Sequence, residues 1–241
     1  MKVKIIAEIG SNWEGNIYIA KKIISECKKV GADAVKFQMW RAKDLYNPSH
    51  PSWNIIKKSE LSFEQAKKLK EFSDKQKIEF FCSVFYPEAV TFLEKIGVKQ
   101  YKIASRTCIF KDPYSLETLK KISETKKPVI ISMGMGGNKK RIQQIFAKNK
   151  TQFCYCISDY PLDIKKIKWK NALSFDGFSD HTEGIISPIM FTSMKKSMKS
   201  RNIVIEKHVK LSTSKGPDAE TSIDTSQLGE LVKYTKIIET M

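Results

Sequence analysis

The chain has 241 residues, of which 41% are hydrophobic and 10% aromatic, and its formal net charge is +17. This apolar fraction can fill a sizeable core, which excludes disorder as the main state. No stretch approaches the roughly 18 consecutive apolar residues of a membrane span, and residues 1–6 are too short for a signal-peptide core. We therefore expect a soluble, cytoplasmic protein.

Short segments rich in β-branched residues alternate along the chain with longer segments of helical period. The first strand is predicted at residues 4–9, and the first helix at 16–30, where every third or fourth residue is apolar. Further strands are predicted at 34–38, 79–84, 101–105, 129–133, 153–158, 175–179 and 203–208. Further helices are predicted at 62–77, 87–96, 114–125, 139–148, 162–169, 185–199 and 225–240.

Eight strand–helix units in a chain of this length predict a single (β/α)8 TIM barrel that occupies residues 1–241. A doubly wound open sheet is the alternative. Residues 39–61 are long for a strand–helix connection, and Pro48, Pro51 and Trp53 within them indicate an ordered loop near the mouth of the barrel.

The positive charge comes almost entirely from lysine, because only four of the 43 basic residues are arginine. Arginine is the preferred residue for bidentate recognition of bases and phosphates. We therefore interpret most of the charge as a solvated lysine surface, do not expect nucleic-acid binding, and keep attraction of a small anionic substrate as the alternative. The five cysteines lack paired CxxC spacing and are expected to be buried, reduced thiols.

Polar residues occur where each predicted strand ends, which is where this type of barrel carries its catalytic groups. Ionisable side chains inside apolar strands are costly unless they are paired or functional. The most informative residues are therefore Glu8, Lys36, Lys102, Glu206 and His208. Ion pairs with a purely structural role inside the barrel are the alternative.

Two of the three histidines, His181 and His208, fall at the ends of the seventh and eighth predicted strands. Neighbouring strands lie about 4.8 Å apart, so both imidazoles, and Glu8 next around the barrel, are expected within reach of one cation. The sequence thus favours a metal site over a pair of structural histidines.

Lysines and hydroxyls at other strand ends indicate an anion site. Lys36 and Lys102 are suited to a ligand that carries a phosphate and a carboxylate. The hydroxyls that accompany them are Ser83, Ser105, Ser132 and Ser179. The glycine-rich segment 132–137 adds backbone amides that can approach an anion, although it is equally compatible with a plain turn.

Six segments of the sequence resemble the sialic acid synthases, the N-acetylneuraminate synthase family. In order, they are AEIG at 7–10, ADAVKFQ at 32–38, YKIAS at 101–105, SDHTEG at 179–184, IEKH at 205–208 and GPD at 216–218. The match runs from about residue 6 to about residue 222, which is most of the chain. Single segments are common, but six in register are specific.

The resemblance implies condensation of phosphoenolpyruvate with an N-acylated amino sugar aldehyde, which gives a sialic-type acid and phosphate. It implies a divalent metal, Mn²⁺ in the first place and otherwise Mg²⁺, on His181 and His208. It implies that phosphoenolpyruvate contacts Lys36, Ser83, Lys102, Ser105, Ser132 and Ser179, and that the sugar contacts Gln38, Tyr160 and Asp218. Glu8 matches the strand-one carboxylate and is our candidate to position or deprotonate the attacking water. A homodimer is also expected.

The sequence departs from the family in several places. Full-length members carry a C-terminal antifreeze-like domain that supplies an arginine to the sugar site, and we expect this chain to lack it. Arg106-Thr107 stands where the family often has a glutamate, Ser83-Val84 where Thr-Pro is usual, and Ser158 where asparagine is common. The acceptor is therefore left open among N-acetylmannosamine and the bacillosamine-derived sugars of the legionaminate and pseudaminate branches. A non-catalytic sugar-phosphate-binding barrel is the alternative in another class.

Overall fold

The computed structural model describes residues 1–214 and 217–241, so Gly216 of the GPD segment lies outside the described residues. Within them, eight parallel strands follow one another around a sheet that closes where the first strand pairs with the eighth. The strands are β1 Lys2–Glu8, β2 Ala34–Met39, β3 Glu79–Val84, β4 Tyr101–Ile103, β5 Val129–Ser132, β6 Thr151–Tyr155, β7 Gly177–Asp180 and β8 Asn202–Lys210. The predicted single (β/α)8 barrel is confirmed.

Helices surround the barrel. They are α1 Ile17–Lys29, α2 Ala42–Leu45, α3 Trp53–Lys58, α4 Phe63–Lys75, α5 Pro87–Lys95, α6 Ser105–Cys108, α7 Ser115–Glu124, α8 Lys139–Ile145, α9 Trp169–Ala172, α10 Ile186–Ser197 and α11 Thr225–Thr240. The described helices include none that is both long enough and apolar enough to cross a membrane. Asn16 caps α1 by accepting hydrogen bonds from the amides of Tyr18 and Ile19, which explains why the helix begins where the sequence predicts.

The structure differs in several places from the predicted elements. The connection at 39–61 is not a plain loop, because it contains α2 and α3. The helix predicted at 162–169 is reduced to one 3₁₀ turn at Ile164–Lys166, followed by α9. A short ninth strand, β9 Ile223–Asp224, pairs in parallel with the end of β8 and was not predicted, because two residues are too few to show a period.

The barrel interior is organised in layers that follow the two-residue period of the strands. A small apolar cluster fills its middle and consists of Ile6, Ala34, Phe81, Ile130, Cys154 and Val204. Because alternate strand residues face the same side, the next inward positions belong to Glu8, Lys36, Ser83, Ser132, Cys156 and Glu206. The apolar cluster thus forms the floor of a polar site at the carboxyl ends of the strands. The larger apolar core lies between the strands and the helices.

Candidate active site

A cavity of about 520 Å³ opens at the carboxyl ends of the strands. It is lined by all the sequence-predicted site residues except Glu8, namely Lys36, Gln38, Ser83, Lys102, Ser105, Ser132, Tyr160, Ser179, His181, His208 and Asp218. Residues scattered over nearly the whole chain therefore share one site. Glu8 lies behind this lining, with 1% of its surface exposed.

Lys36 connects Glu8 to the cavity. Its ammonium group forms a buried ion pair with Glu8 and donates a hydrogen bond to Ser83 Oγ at 2.9 Å. The other carboxylate oxygen of Glu8 accepts a hydrogen bond from Gln38 Nε2 at 3.0 Å. Glu8 is therefore fixed by two residues that face the cavity.

Glu206 lies between the two lysines of the site. Its Oε2 is 3.6 Å from Lys36 Nζ, and its Oε1 is 3.6 Å from Lys102 Nζ. Ser179 Oγ donates to Oε1 at 2.8 Å, and Lys102 donates to Ser132 Oγ at 2.6 Å. The sequence marked Glu206 as informative but assigned it no role, because its position between Lys36 and Lys102 depends on closure of the barrel.

The charge states of this buried group follow from its contacts. Burial lowers the pKa of Lys36 to about 8, although Glu206 opposes the shift. Burial alone would raise the pKa of Glu206, but Lys102, Lys36 and the Ser179 hydroxyl outweigh it and lower that pKa to about 2. At neutral pH Lys36 is therefore a cation and Glu206 an anion.

The two predicted metal ligands lie side by side, with ring centroids 5.5 Å apart. His181 Nδ1 lies 2.7 Å from the carbonyl oxygen of Ile157. A carbonyl oxygen only accepts, so Nδ1 carries the proton and Nε2 keeps its lone pair. His208 Nδ1 is buried and has no hydrogen-bond partner. The two rings therefore fit a divalent cation, since one is oriented through its second nitrogen and the other has an unsatisfied nitrogen.

Glu8, the third metal ligand suggested by strand order, is not arranged to bind the same cation as the two histidines. Glu8 faces Lys36 and Gln38 instead. Residues 1–214 and 217–241 contain no group of three or more His, Cys, Asp or Glu side chains arranged to hold one metal ion. A cation on His181 and His208 therefore needs further ligands from water or substrate.

Tyr160, one of the predicted sugar contacts, lies beside both histidine rings. The ring of Tyr160 lies 4.1 Å, centroid to centroid, from that of His181. Asp218 Oδ2 accepts hydrogen bonds from the Ser11 amide at 3.1 Å and from Ser11 Oγ at 2.7 Å. Ser11 was missed because it follows β1 without a strand or helix period to mark it.

A second group missed from sequence lies at the mouth of the cavity. Arg106, which the sequence marks only as a departure from the family, forms a bidentate ion pair with Asp112 at 2.7–3.0 Å. Its Nη2 also donates to the carbonyl oxygen of Leu45 at 3.2 Å. Arg106 therefore ties the segment after β4 to the α2 segment, which carries the cavity residue Tyr46.

The five cysteines are free and buried, as expected. Cys156 is the one that also lines the cavity, with Sγ 3.8 Å from His181 Nδ1. Burial raises the pKa of the Cys156 thiol, but the adjacent His181 outweighs it, and the net direction is downward. Cys156 is therefore part of the histidine environment.

The NeuB family model matches residues 23–241. The chain belongs to the NeuB family. It is 30% identical to the N,N'-diacetyllegionaminic acid synthase of Legionella pneumophila, over 98% of this chain and 72% of that protein. It is also 30% identical to the N-acetylneuraminate-9-phosphate synthase of Mus musculus, over 98% of this chain and 70% of that protein.

A solved structure shows the same likeness. The N-acetylneuraminic acid synthetase of Leptospira borgpetersenii, in complex with citrate, superimposes with a TM-score of 0.89 at 28% identity. The match covers 100% of this chain and 85% of that one. These relatives are thus named as synthases of legionaminic, neuraminic and related acids, and the solved one shares the fold of this chain.

Proposed function

We propose that this NeuB protein condenses phosphoenolpyruvate with an N-acylated amino sugar aldehyde of the N-acetylmannosamine type, giving a nonulosonic acid and phosphate. The observation that carries the proposal is the arrangement of Lys36 and Lys102 beside His181 and His208 in one cavity. The lysine group suits an acidic substrate, and the histidine group suits a cation that binds a carbonyl oxygen.

The anionic substrate is assigned to the lysine side of the cavity. Lys36 and Lys102 already donate to Ser83 and Ser132, so their ammonium groups are oriented before a ligand arrives. The substrate's phosphate and carboxylate oxygens would replace these hydroxyl acceptors or share the donors with them. Charge-assisted hydrogen bonds in a buried site are strong and hold the enol in one orientation.

The sugar aldehyde is assigned to the histidine side. His181 and His208 would hold the divalent cation, Mn²⁺ or Mg²⁺. When bound, such a cation polarises a carbonyl group toward nucleophilic attack. Gln38, Tyr160 and Asp218 line the same cavity and are proposed to bind the sugar's hydroxyl and amide groups.

The bond changes follow from this placement. The C3 carbon of phosphoenolpyruvate attacks the aldehyde carbon, and the aldehyde oxygen takes up a proton to become a hydroxyl. Water then adds to C2 and loses one proton, which balances the proton taken up by the aldehyde oxygen. The C–O bond to phosphate breaks as the new C2 hydroxyl gives up its proton to the departing phosphate, which leaves the keto acid. We assign the positioning or deprotonation of this water to Glu8, which Lys36 and Gln38 hold directly behind the cavity lining.

The acceptor sugar has to be identified by experiment and not by sequence similarity, because relatives that make different acids are equally identical to this chain. Phosphate release from phosphoenolpyruvate should be measured with Mn²⁺ and a panel of acceptors. The panel contains N-acetylmannosamine, its 6-phosphate and the bacillosamine-derived precursors of legionaminate and pseudaminate. Acceptor-dependent phosphate release, with the new acid identified by mass spectrometry, is expected.

The proposal fails if no acceptor supports turnover although the protein binds both Mn²⁺ and phosphoenolpyruvate. That result would favour the non-catalytic sugar-phosphate-binding barrel. We also propose that the enzyme works in the cytoplasm as a homodimer. Cell fractionation tests the first point and light scattering of the purified protein tests the second.

A further inference from the structure

A fully buried ion pair lies directly behind the two histidines. Lys207 Nζ donates to Asp180 Oδ2 at 2.7 Å, and both side chains have 0% of their surface exposed. The two residues are register partners across β7 and β8. Neither lines the cavity, and the proposed chemistry does not use either of them.

The position of this pair follows from strand alternation. Asp180 lies between Ser179 and His181, which line the cavity, so its side chain points the opposite way. Lys207 has the same relation to its neighbours Glu206 and His208. The ion pair therefore joins the backbones of the two histidine-bearing strands from their outer side.

The pair also holds the residue that follows His181. Lys207 Nζ donates to the carbonyl oxygen of Thr182 as well as to Asp180. The carboxylate of Asp180 accepts from the Thr182 amide at 3.0 Å and from Thr182 Oγ1 at 3.1 Å. The segment 180–182 is thereby closed into a rigid turn attached to β8.

His181 is held on its remaining sides by the segment after β6. Its carbonyl oxygen accepts from the Leu162 amide at 2.9 Å, and its Nδ1 donates to the Ile157 carbonyl oxygen at 2.7 Å. His208 has no corresponding ring contact at Nδ1. The distance between the two rings therefore depends on how firmly the turn at 180–182 is attached to β8.

We propose that Asp180 and Lys207 are positioning residues that set the place of His181 relative to His208. The effect of this ion pair on metal binding rests on the function proposed above, whereas its effect on the position of the His181 ring does not. A buried ion pair with a merely structural role would stabilise the fold without affecting either imidazole.

The test uses the full-length protein with its histidine rings labelled with ¹⁵N. Lys207→Met removes the donor to Thr182 and Asp180. The double variant Asp180→Asn/Lys207→Met removes both charges, so that no uncompensated charge stays buried. Thr182→Val is nearly isosteric and removes only the contacts of the hydroxyl with Asp180 and Ser187.

Lys195→Met is the matched control. Lys195 is another buried lysine, and it donates to the carbonyl oxygens of Leu173 and Phe175, away from the histidines. Circular dichroism establishes that each variant is folded. Ring ¹⁵N shifts then report the tautomer and environment of His181, with the exposed His50 as an internal reference, and electron paramagnetic resonance of free Mn²⁺ reports metal affinity.

We expect the folded Lys207 variants to shift the His181 ring signals and to weaken Mn²⁺ binding by about 10- to 100-fold. Thr182→Val should have a smaller effect in the same direction, and Lys195→Met none. Unchanged His181 signals in a folded Lys207 variant would overturn the proposal. If neither Lys207 variant folds, unchanged His181 signals in Thr182→Val would overturn it instead. If wild-type protein binds no Mn²⁺, the metal part of the proposed function fails, while the ring signals still test the positioning role.

Discussion

The imidazole rings of His181 and His208 lie 5.5 Å apart, at the carboxyl ends of strands that pair in parallel. His181 has its Nδ1 engaged by a backbone carbonyl, and His208 has a buried Nδ1 with no partner. A pair in which one ring is oriented and the other is unsatisfied is typical of a metal site and atypical of core histidines.

Removal of one ring should therefore abolish metal binding. In His208→Ala, the Mn²⁺ dissociation constant is expected to rise by at least about 100-fold, because a two-histidine site loses half of its protein ligands. Acceptor-dependent phosphate release should fall with it. Free Mn²⁺ measured by electron paramagnetic resonance checks the first effect. His50→Ala is the control, because His50 lines the same cavity but is exposed. An equal loss of Mn²⁺ affinity in that variant would contradict the assignment.

Loss of Lys102 should affect phosphoenolpyruvate more than the sugar. Lys102→Ala removes a charged donor that is oriented by Ser132, and such a bond contributes about 1.5–3 kcal/mol, or roughly 10- to 150-fold in KM. Steady-state kinetics with each substrate varied in turn measures the split. Lys111→Ala provides the comparison, because Lys111 lines the same cavity but is exposed and screened by solvent. Equal increases in both KM values would contradict the partition of the site.

Glu8 and Glu206 are the two carboxylates near the lysines that could activate the water. Replacing each one by glutamine distinguishes their roles. Glu8→Gln keeps the shape of the side chain and removes the base, so kcat should fall by about 10²- to 10⁴-fold with little change in the KM of phosphoenolpyruvate. Glu206→Gln should instead alter that KM, because Glu206 lies between Lys36 and Lys102. The reverse pattern would transfer the catalytic role to Glu206.

Binding of phosphoenolpyruvate should weaken as the pH rises through about 8. Burial lowers the pKa of Lys36 from 10.5 to about 8, so the cation is present below that pH and is lost above it. The KM is expected to be flat below pH 8 and to approach a tenfold increase per pH unit above it. The contribution of Lys36 to folding stability changes with pH in the opposite direction to phosphoenolpyruvate binding. Between about pH 8 and 10.5 the unfolded chain keeps a proton that the folded chain releases, so this group's contribution to stability grows with pH.

The arginine variant tests the cause of this pH dependence. Lys36→Arg carries a charge that does not titrate in the same range, so its KM profile should stay flat between pH 7 and 9. A profile that rises in parallel with the wild type would show that another group is responsible.

A methyl group at Gly10 should disturb the sugar side selectively. Gly10 has a positive φ of +51°, and an added Cβ would lie 2.7 Å from Asp218 Oδ2. Gly10→Ala should displace Asp218 and raise the KM of the acceptor by roughly tenfold or more, with a smaller effect on phosphoenolpyruvate. Gly97→Ala is matched in backbone strain, since Gly97 has φ +74° but open space around its Cβ position. Both variants should lose about 1–2 kcal/mol of stability, and only Gly10→Ala should change kinetics.

The order of elements and the polar strand ends were accessible from sequence because they depend on short-range periods. Strand alternation is local, so the inward positions of Glu8 and Lys36 could be read directly above the apolar residues Ile6 and Ala34. The same argument placed the lysines, serines and histidines at one end of a barrel, and the structure brings them into the lining of one cavity.

What the sequence could not show is which charges neutralise one another. Glu206 meets Lys36 and Lys102 only because the barrel closes, and the expected approach of Glu8 to the histidines is replaced by its ion pair with Lys36. Such pairings join residues far apart in the chain, and their geometry depends on barrel stagger rather than on any local pattern. The sequence thus determined the fold and the residue types of the site. The tertiary structure decided their partners and with them the electrostatics that any chemistry here must use.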